Sequence, residues 1–199
     1  LDTVWSDVDN LVFYNQVKVL ESFIDSKISL THLWPSTGYG YQDIGREGLE
    51  SLFAKIFDAE SSLVRLSFAS TLCPVIGIDT PDHPRAGSLR DFGMRYKEST
   101  CLIDFESGVI DECGLRDCLE TSVSRETSLI FIQRSRGYAH RQTISIESVQ
   151  KVSEILNALY PSLPIFVDNC YCEFTNPIEP PGVGATITAG SLIKNPAGG

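Results

Sequence analysis

Apolar residues recur at helical spacing in three parts of the chain, which predicts three amphipathic helices. The first covers residues 10 to 26, the second begins near residue 45 and ends near 56, and the third covers 145 to 160. Their apolar positions are Val17, Leu20, Phe23 and Ile24; Leu49, Leu52, Phe53 and Ile56; and Val149, Val152, Ile155, Leu156 and Leu159. Each of these stripes is expected to be buried against a core.

Short apolar runs outside these helices predict β-strands at residues 63–68, 128–133, 164–168 and 185–189. Strands that alternate with helices at this spacing indicate βαβ units, and hence a parallel sheet with helices on both faces. In such sheets ligands bind outside the carboxyl ends of the strands. Asp168 and Lys194 both fall at such ends.

Composition and charge narrow the range of functions. With 199 residues and 42% hydrophobic content, the chain is long enough for one sizeable core. The net charge of −10 argues against nucleic acid and membrane partners, because anionic surfaces repel an acidic chain. No apolar run is long enough for a membrane span, so a cytoplasmic protein is expected. The spacing of the six cysteines and three histidines favours reduced thiols and no metal site.

Lys194 and Asp168 are the candidates for cofactor chemistry. Pyridoxal phosphate requires an amine that holds its aldehyde and a carboxylate that keeps its pyridine nitrogen protonated. The hydroxyl of Ser191 could donate to the cofactor phosphate, and small residues such as Gly190 allow backbone to approach a ligand. In the alternative interpretation, Lys194 is a solvated surface charge and Asp168 forms a cap or turn.

Asp168 and Lys194 belong to two of four motifs that follow one another along the chain. They are Ser36-Thr37-Gly38-Tyr39-Gly40-Tyr41, Phe131-Ile132-Gln133-Arg134-Ser135-Arg136-Gly137-Tyr138, Val167-Asp168-Asn169-Cys170-Tyr171 and Ala189-Gly190-Ser191-Leu192-Ile193-Lys194-Asn195-Pro196. Together they resemble the methionine gamma-lyase-like family, also called aluminium resistance proteins, within the fold type I pyridoxal phosphate enzymes. The resemblance implies a fold type I large domain, and a complete family member that forms a homodimer or a higher homo-oligomer with itself.

The resemblance also implies a role for each matching residue. Lys194 would hold the cofactor and act as the catalytic base, Asp168 would pair with the pyridine nitrogen, and Ser191 would contact the phosphate. After the 128–133 strand, Arg134, Ser135, Arg136 and Tyr138 would line the site, where a guanidinium suits a carboxylate or phosphate; alternatively they form a solvated basic turn. Tyr39 and Tyr41 would reach the phosphate of a neighbouring subunit, or else pack on their own chain.

The chain also departs from the family pattern. Family members have a phosphate-binding Ser-Gly-Thr-His run where this chain has Ser70-Thr71-Leu72-Cys73-Pro74, and Val75 to Ile78 resemble family sequence found well beyond that run. We therefore expect an internal deletion near residue 70 and no C-terminal small domain after Gly199. Cys172 and Ala197 replace glycines of the family pattern.

These observations leave two main interpretations. In the first, residues 1–44 form an N-terminal helix and active-site loop, and residues 45–199 form a partial cofactor-binding domain of a carbon–sulfur lyase. Its substrate would be a sulfur-containing amino acid. In the second, the chain is an inactive truncated product or pseudoenzyme that at most dimerises with a complete subunit. A nucleotide-binding module is a weaker third option, because no Gly-rich phosphate-binding run is present.

Overall fold

The structure is a computed structural model, and it describes residues 2–36, 43–64, 75–78, 96–98, 112–123, 127, 129–137, 142–192 and 194–195. The chain forms two compact units. Unit 1 comprises residues 1–69 and 174–182, and unit 2 comprises residues 70–173 and 183–199. The functional division into residues 1–44 and 45–199 stays a prediction.

Unit 2 is built on a five-stranded sheet whose paired strands are all parallel, as the sequence predicted. The strands are β1 (Val75–Ile78), β2 (Tyr96–Glu98), β3 (Leu129–Gln133), β4 (Ile165–Asp168) and β5 (Ile187–Ala189). Their spatial order is β2-β1-β3-β4-β5. The predicted strands at 128–133, 164–168 and 185–189 are thus confirmed, with β5 beginning two residues later than expected.

The main core lies between this sheet and two helices, α3 (Glu112–Ser122) and α4 (Ile146–Leu159). Alternate side chains of a strand point to opposite faces, so Ile130 and Ile132 join the helices while Leu129 and Phe131 face the other way. On that second face Phe131 stacks on Phe166, with ring centroids 5.3 Å apart. Both faces of β3 are therefore buried, which explains its continuous apolar sequence.

Helix α4 forms where the sequence predicted it. Ser145 is its N-cap and accepts a hydrogen bond from the backbone N–H of Ser148. Val149, Val152 and Leu156 are fully or almost fully buried in the main core. The helix crosses from the end of β3 back to the start of β4, which is how two parallel neighbours must be connected.

Strand register aligns the carboxyl ends that position the candidate site. Gln133 pairs with Asp168, and Asp168 pairs with Ala189, so the last residues of β3, β4 and β5 form one row. The row continues one step further, because Arg134 N–H donates to Asp168 O and Asn169 N–H donates to Ala189 O. Residues that follow these strands are consequently neighbours.

Unit 1 contains helices α1 (Asp2–Asp25) and α2 (Ile44–Ile56), with a short 3-10 helix at Leu30–Leu33 between them. Both predicted helices are confirmed, although α1 begins eight residues earlier than expected. A second 3-10 helix covers Pro180–Val183. Among the described residues, no helix has both the length and the apolar character needed to cross a bilayer.

The predicted burial of the α1 stripe is wrong. Leu20 is 63% exposed and Ile24 is 74% exposed, while Asn15 and Ser22 on the opposite side are buried. The inner side of α1 is polar because it satisfies backbone carbonyls. Asn15 Nδ2 donates to Phe174 O at 3.0 Å, and the Lys18 ammonium donates to Pro177 O at 3.3 Å.

Three elements were not predicted from the pattern, namely β1, β2 and α3. The predicted strand at 63–68 lies mostly outside the described residues, and its first two residues are irregular. Helices on both faces of the sheet also stay a prediction, because the described helices of unit 2 pack on one face.

Candidate active site at the carboxyl edge of the sheet

Asp168 is the last residue of β4 and is almost completely buried. Its Oδ1 accepts a hydrogen bond from the backbone N–H of Cys170 at 3.1 Å, which fixes the carboxylate at the start of a turn. That turn then runs through Tyr171, whose backbone is left-handed with φ at 70°. A buried carboxylate at a parallel strand end is therefore held by its own turn.

Lys194 lies five residues after β5, the strand that pairs with β4. Its ammonium is 4.4 Å from the ring centroid of Tyr171, a cation–π distance. Because Tyr171 belongs to the turn that follows Asp168, the structure brings the predicted amine and the predicted carboxylate to the same edge of the sheet.

The segment that carries Lys194, residues 190–195, folds back on itself and on that turn. The N–H groups of Lys194 and Asn195 both donate to Ser191 O. The side-chain amide of Asn195 donates to the carbonyls of Tyr171 and Glu173, at 3.1 and 3.0 Å. Ser191, the predicted phosphate contact, is thus partly buried in the same loop as Lys194.

Arg134 and Arg136 have different environments although both follow β3. Arg134 is 2% exposed, and its Nε donates to Ile144 O while its Nη1 donates to Asn169 Oδ1 at 2.7 Å. Arg136 is exposed, and Ser135 is partly buried between them. The guanidinium of Arg134 is therefore engaged in holding β3 to the turn after β4.

The charge of Arg134 has a small effect on the first turn of α4. The pKa of the exposed Glu147 is held below its usual value, chiefly by a hydrogen bond from its own backbone N–H and by the Ser145 hydroxyl, with a smaller contribution from Arg134. Glu147 is consequently an ionised helix N-terminal residue at neutral pH, where the helix dipole favours it.

The remaining predicted residues, Tyr39, Tyr41 and Tyr138, lie outside the described residues, as does Ala197. Cys172, which replaces a family glycine, is buried, and its N–H donates to Asn169 O. Its φ is not positive, unlike those of Tyr171 and Phe174, so this position does not require glycine for its backbone conformation.

Three residues of the site received no role from the sequence: Asn169, Glu173 and Asn195. Asn169 and Asn195 were visible within the quoted motifs, but their partners are 35 and 22 residues or more away in sequence. Glu173 is 1% exposed and accepts from the backbone N–H of Ser191. Among the described residues, no group of acidic, cysteine and histidine side chains could hold a metal ion.

The donor set at this edge fits pyridoxal phosphate. A primary amine follows β5, a buried carboxylate ends β4, and a serine hydroxyl lies between them in sequence and in the same loop. These are the groups that the aldehyde, the pyridine nitrogen and the phosphate of that cofactor require.

Comparison with known proteins identifies relatives of this chain. YnbB of Bacillus subtilis is 35% identical over 224 aligned positions, which include 98% of this chain and 51% of YnbB. A structure from Listeria monocytogenes, described as a "putative cystathionine beta-lyase involved in aluminum resistance", is 35% identical with a TM-score of 0.85. The match covers 98% of this chain and 53% of the Listeria chain.

A carbon–sulfur lyase involved in aluminium resistance from Clostridium novyi is 30% identical with a TM-score of 0.82, and 96% of this chain covers 50% of it. The chain thus spans about half the length of these relatives. The family model for methionine gamma-lyase matches residues 1–72 and 69–199, so the chain belongs to the methionine gamma-lyase family.

Proposed function

We propose that this chain is part of a pyridoxal phosphate-dependent carbon–sulfur lyase of the methionine gamma-lyase type, acting on a sulfur-containing amino acid. The observation that supports it most is the placement of Lys194 and the buried Asp168 at the carboxyl ends of neighbouring parallel strands. The descriptions of the Listeria and Clostridium relatives, which name lyases that split carbon–sulfur bonds, support the reaction class.

Each residue has a definite task in this proposal. Lys194 would hold the cofactor through its amine and would move a proton at the α-carbon of the substrate. Asp168, fixed by the Cys170 N–H, keeps a positive pyridine nitrogen in place. When bound, the cofactor supplies an electron sink for the charge that develops at the α-carbon. Ser191 offers its hydroxyl to the phosphate.

Among the residues after β3, we assign the substrate carboxylate to Arg136 with Ser135 beside it. Arg136 is exposed, whereas Arg134 already donates to Ile144 O and Asn169 Oδ1. A guanidinium with free donors can bind a carboxylate with two parallel hydrogen bonds. Tyr138 in the same loop, and Tyr39 and Tyr41 from a neighbouring subunit, stay predictions.

Two features support an internal deletion. The family model matches in two segments that meet at residues 69–72, and the YnbB alignment is longer than the chain itself. At least 25 aligned positions of YnbB, the excess of 224 over 199, therefore have no counterpart here. This junction coincides with the predicted loss of a phosphate-binding run, which favours the second candidate function, an inactive product that pairs with a complete subunit.

Covalent capture of the cofactor tests the lyase against the inactive product. The purified protein is mixed with pyridoxal phosphate, reduced with borohydride, digested, and analysed by peptide mass. We expect the added mass on Lys194 together with a visible absorbance band, both lost in Lys194→Ala. Lys55→Ala, which removes an exposed lysine of α2, is the matched control and should retain both.

Two results would count against a lyase. A folded wild-type protein with no visible band and no label on Lys194 would favour the inactive product. Equal labelling of Lys194 and Lys55 would show ordinary surface reactivity rather than a site.

A further inference from the structure

Glu173 ties the lysine-bearing loop to the turn that follows Asp168. Its side chain is 1% exposed, and its Oε1 accepts from the backbone N–H of Ser191, three residues before Lys194. A hydrogen bond to a carboxylate is stronger than one between neutral groups, and burial strengthens it further. Glu173 therefore fixes the first part of the loop.

Gly190 allows this contact because it has no side chain. A Cβ built at residue 190 would lie 2.7 Å from Glu173 Oε1 and 3.1 Å from its Cγ. The first of these distances is shorter than real Cβ contacts, so the Glu173 carboxylate would have to shift. The small residue that the sequence suggested for approach to a ligand thus approaches a buried carboxylate of the same chain.

The other end of the loop is held by the same short turn. The Asn195 amide donates to the carbonyl oxygens of Glu173 and Tyr171, and the Lys194 ammonium lies over the Tyr171 ring. Ser191, before the lysine in this loop, and Asn195, directly after it, are consequently both attached to residues 171–173. The turn begins at Asp168, so the positions of the amine and the acid are set together.

We propose that Glu173 is a positioning residue for Lys194: its carboxylate, packed against Gly190, holds the loop so that the amine reaches the cofactor aldehyde at the correct distance from Asp168. This inference rests on the proposed function. Displacement of a reacting group by about 1 Å can slow a reaction on the order of 100-fold, so a loop contact of this kind has a measurable kinetic effect.

The contact requires an acceptor oxygen at residue 173, and the charge of the carboxylate strengthens it further, so two variants separate these contributions. Glu173→Gln retains an oxygen that can accept from Ser191 N–H, whereas Glu173→Ala removes it. We expect the alanine variant to capture pyridoxal phosphate at Lys194 at least about tenfold more slowly, and the glutamine variant to stay within about threefold of wild type. Glu120→Ala, an exposed carboxylate of α3, is the control and should not differ.

Gly190→Ala provides a second variant that retains the carboxylate. Its Cβ would displace Glu173 Oε1, so capture should slow as in Glu173→Ala. Circular dichroism establishes that each variant is folded. Alanine variants that are folded and capture the cofactor at the wild-type rate would overturn the role of Glu173.

Hydrogen exchange of the peptide that contains Ser191 gives a readout without cofactor. The Ser191 amide should exchange at least about tenfold faster in Glu173→Ala than in wild type, and near the wild-type rate in Glu173→Gln. Equal exchange in all three proteins would overturn the inference. Failure of the proposed function and failure of the positioning role give different results. If the wild-type protein is not labelled at Lys194, the proposed function is overturned. If the wild-type protein is labelled and Glu173→Ala captures the cofactor equally fast, only the positioning role is overturned.

Discussion

Arg134 and Arg136 are two residues apart, yet only one of them should matter for stability. Arg134→Ala removes two buried hydrogen bonds and leaves Ile144 O and Asn169 Oδ1 without them, which we expect to cost roughly 3 kcal/mol in the free energy of unfolding. Arg136→Ala removes an exposed side chain and should change that free energy by less than about 0.5 kcal/mol. Urea denaturation followed by circular dichroism measures both.

If Arg136 binds the substrate carboxylate, its removal should affect substrate binding although it does not affect stability. Arg136→Ala should raise KM for an amino-acid substrate while the unfolding midpoint is unchanged. If Arg134→Ala is as stable as wild type, the buried hydrogen bonds have been overvalued. If Arg136→Ala leaves KM unchanged, Arg136 does not bind the substrate carboxylate.

At the residue scale, the sequence predicted the residues that carry the chemistry better than the residues that hold them in position. Lys194 and Asp168 could be identified because the cofactor requires an amine and an acid, and because each follows an apolar strand. Glu173 could not, since its acceptor role depends on Ser191, 18 residues away, and on the pairing of β4 with β5. The role of Glu173 as a hydrogen-bond acceptor depends on tertiary structure, so the local sequence pattern does not predict it.

At the scale of elements, α2 offers a prediction about pH. Asp43 is its N-cap, and the pKa of its carboxyl is held below the usual value, first by the Ser36 hydroxyl at 2.6 Å and then by the backbone N–H of Arg46. A lowered folded-state pKa contributes stability that is present above the unfolded value, near 3.8, and is lost as pH falls through the folded value.

Asp43→Asn tests this because asparagine retains a capping oxygen but carries no charge. We expect the urea midpoint of wild type to exceed that of Asp43→Asn at pH 7, and this difference to shrink as pH falls below 3.8. Asp9→Asn, which removes an exposed carboxylate of α1, is the control for net charge. A difference in midpoint that is independent of pH would exclude ionisation of the Asp43 carboxyl as its source.

Helices α3 and α4 show why some elements were predictable and others were not. Helix α4 buries a broad stripe that begins with the Ser145 cap, so both its period and its start are visible in the sequence. Helix α3 has Leu115 and Leu119 as its buried apolar residues among those described, one turn apart. Two leucines are too narrow a stripe to distinguish a helix from a polar loop.

At the scale of the whole molecule, the outer side of α1 exposes several large apolar side chains. Phe13, Leu20 and Ile24 are 69%, 63% and 74% exposed. At 100° per residue they lie about 140° to 180° around the helix from the buried Asn15 and Ser22. An apolar stripe on the solvent side of a helix commonly marks an interface. We therefore propose that α1 contacts a second copy of the chain, the homodimer that the family resemblance implies.

Leu20→Lys tests the proposed dimer. Burial of a leucine contributes about 1.5–3 kcal/mol, so a charge in its place should weaken association at least about tenfold, since 1.4 kcal/mol corresponds to a factor of ten. Sedimentation equilibrium over a range of concentrations measures the dissociation constant. Asn157→Lys adds the same charge at an exposed position of α4 and should associate as wild type does. A wild-type chain that stays monomeric at high concentration, or a Leu20→Lys chain that associates equally well, would show that another surface or no surface forms the dimer.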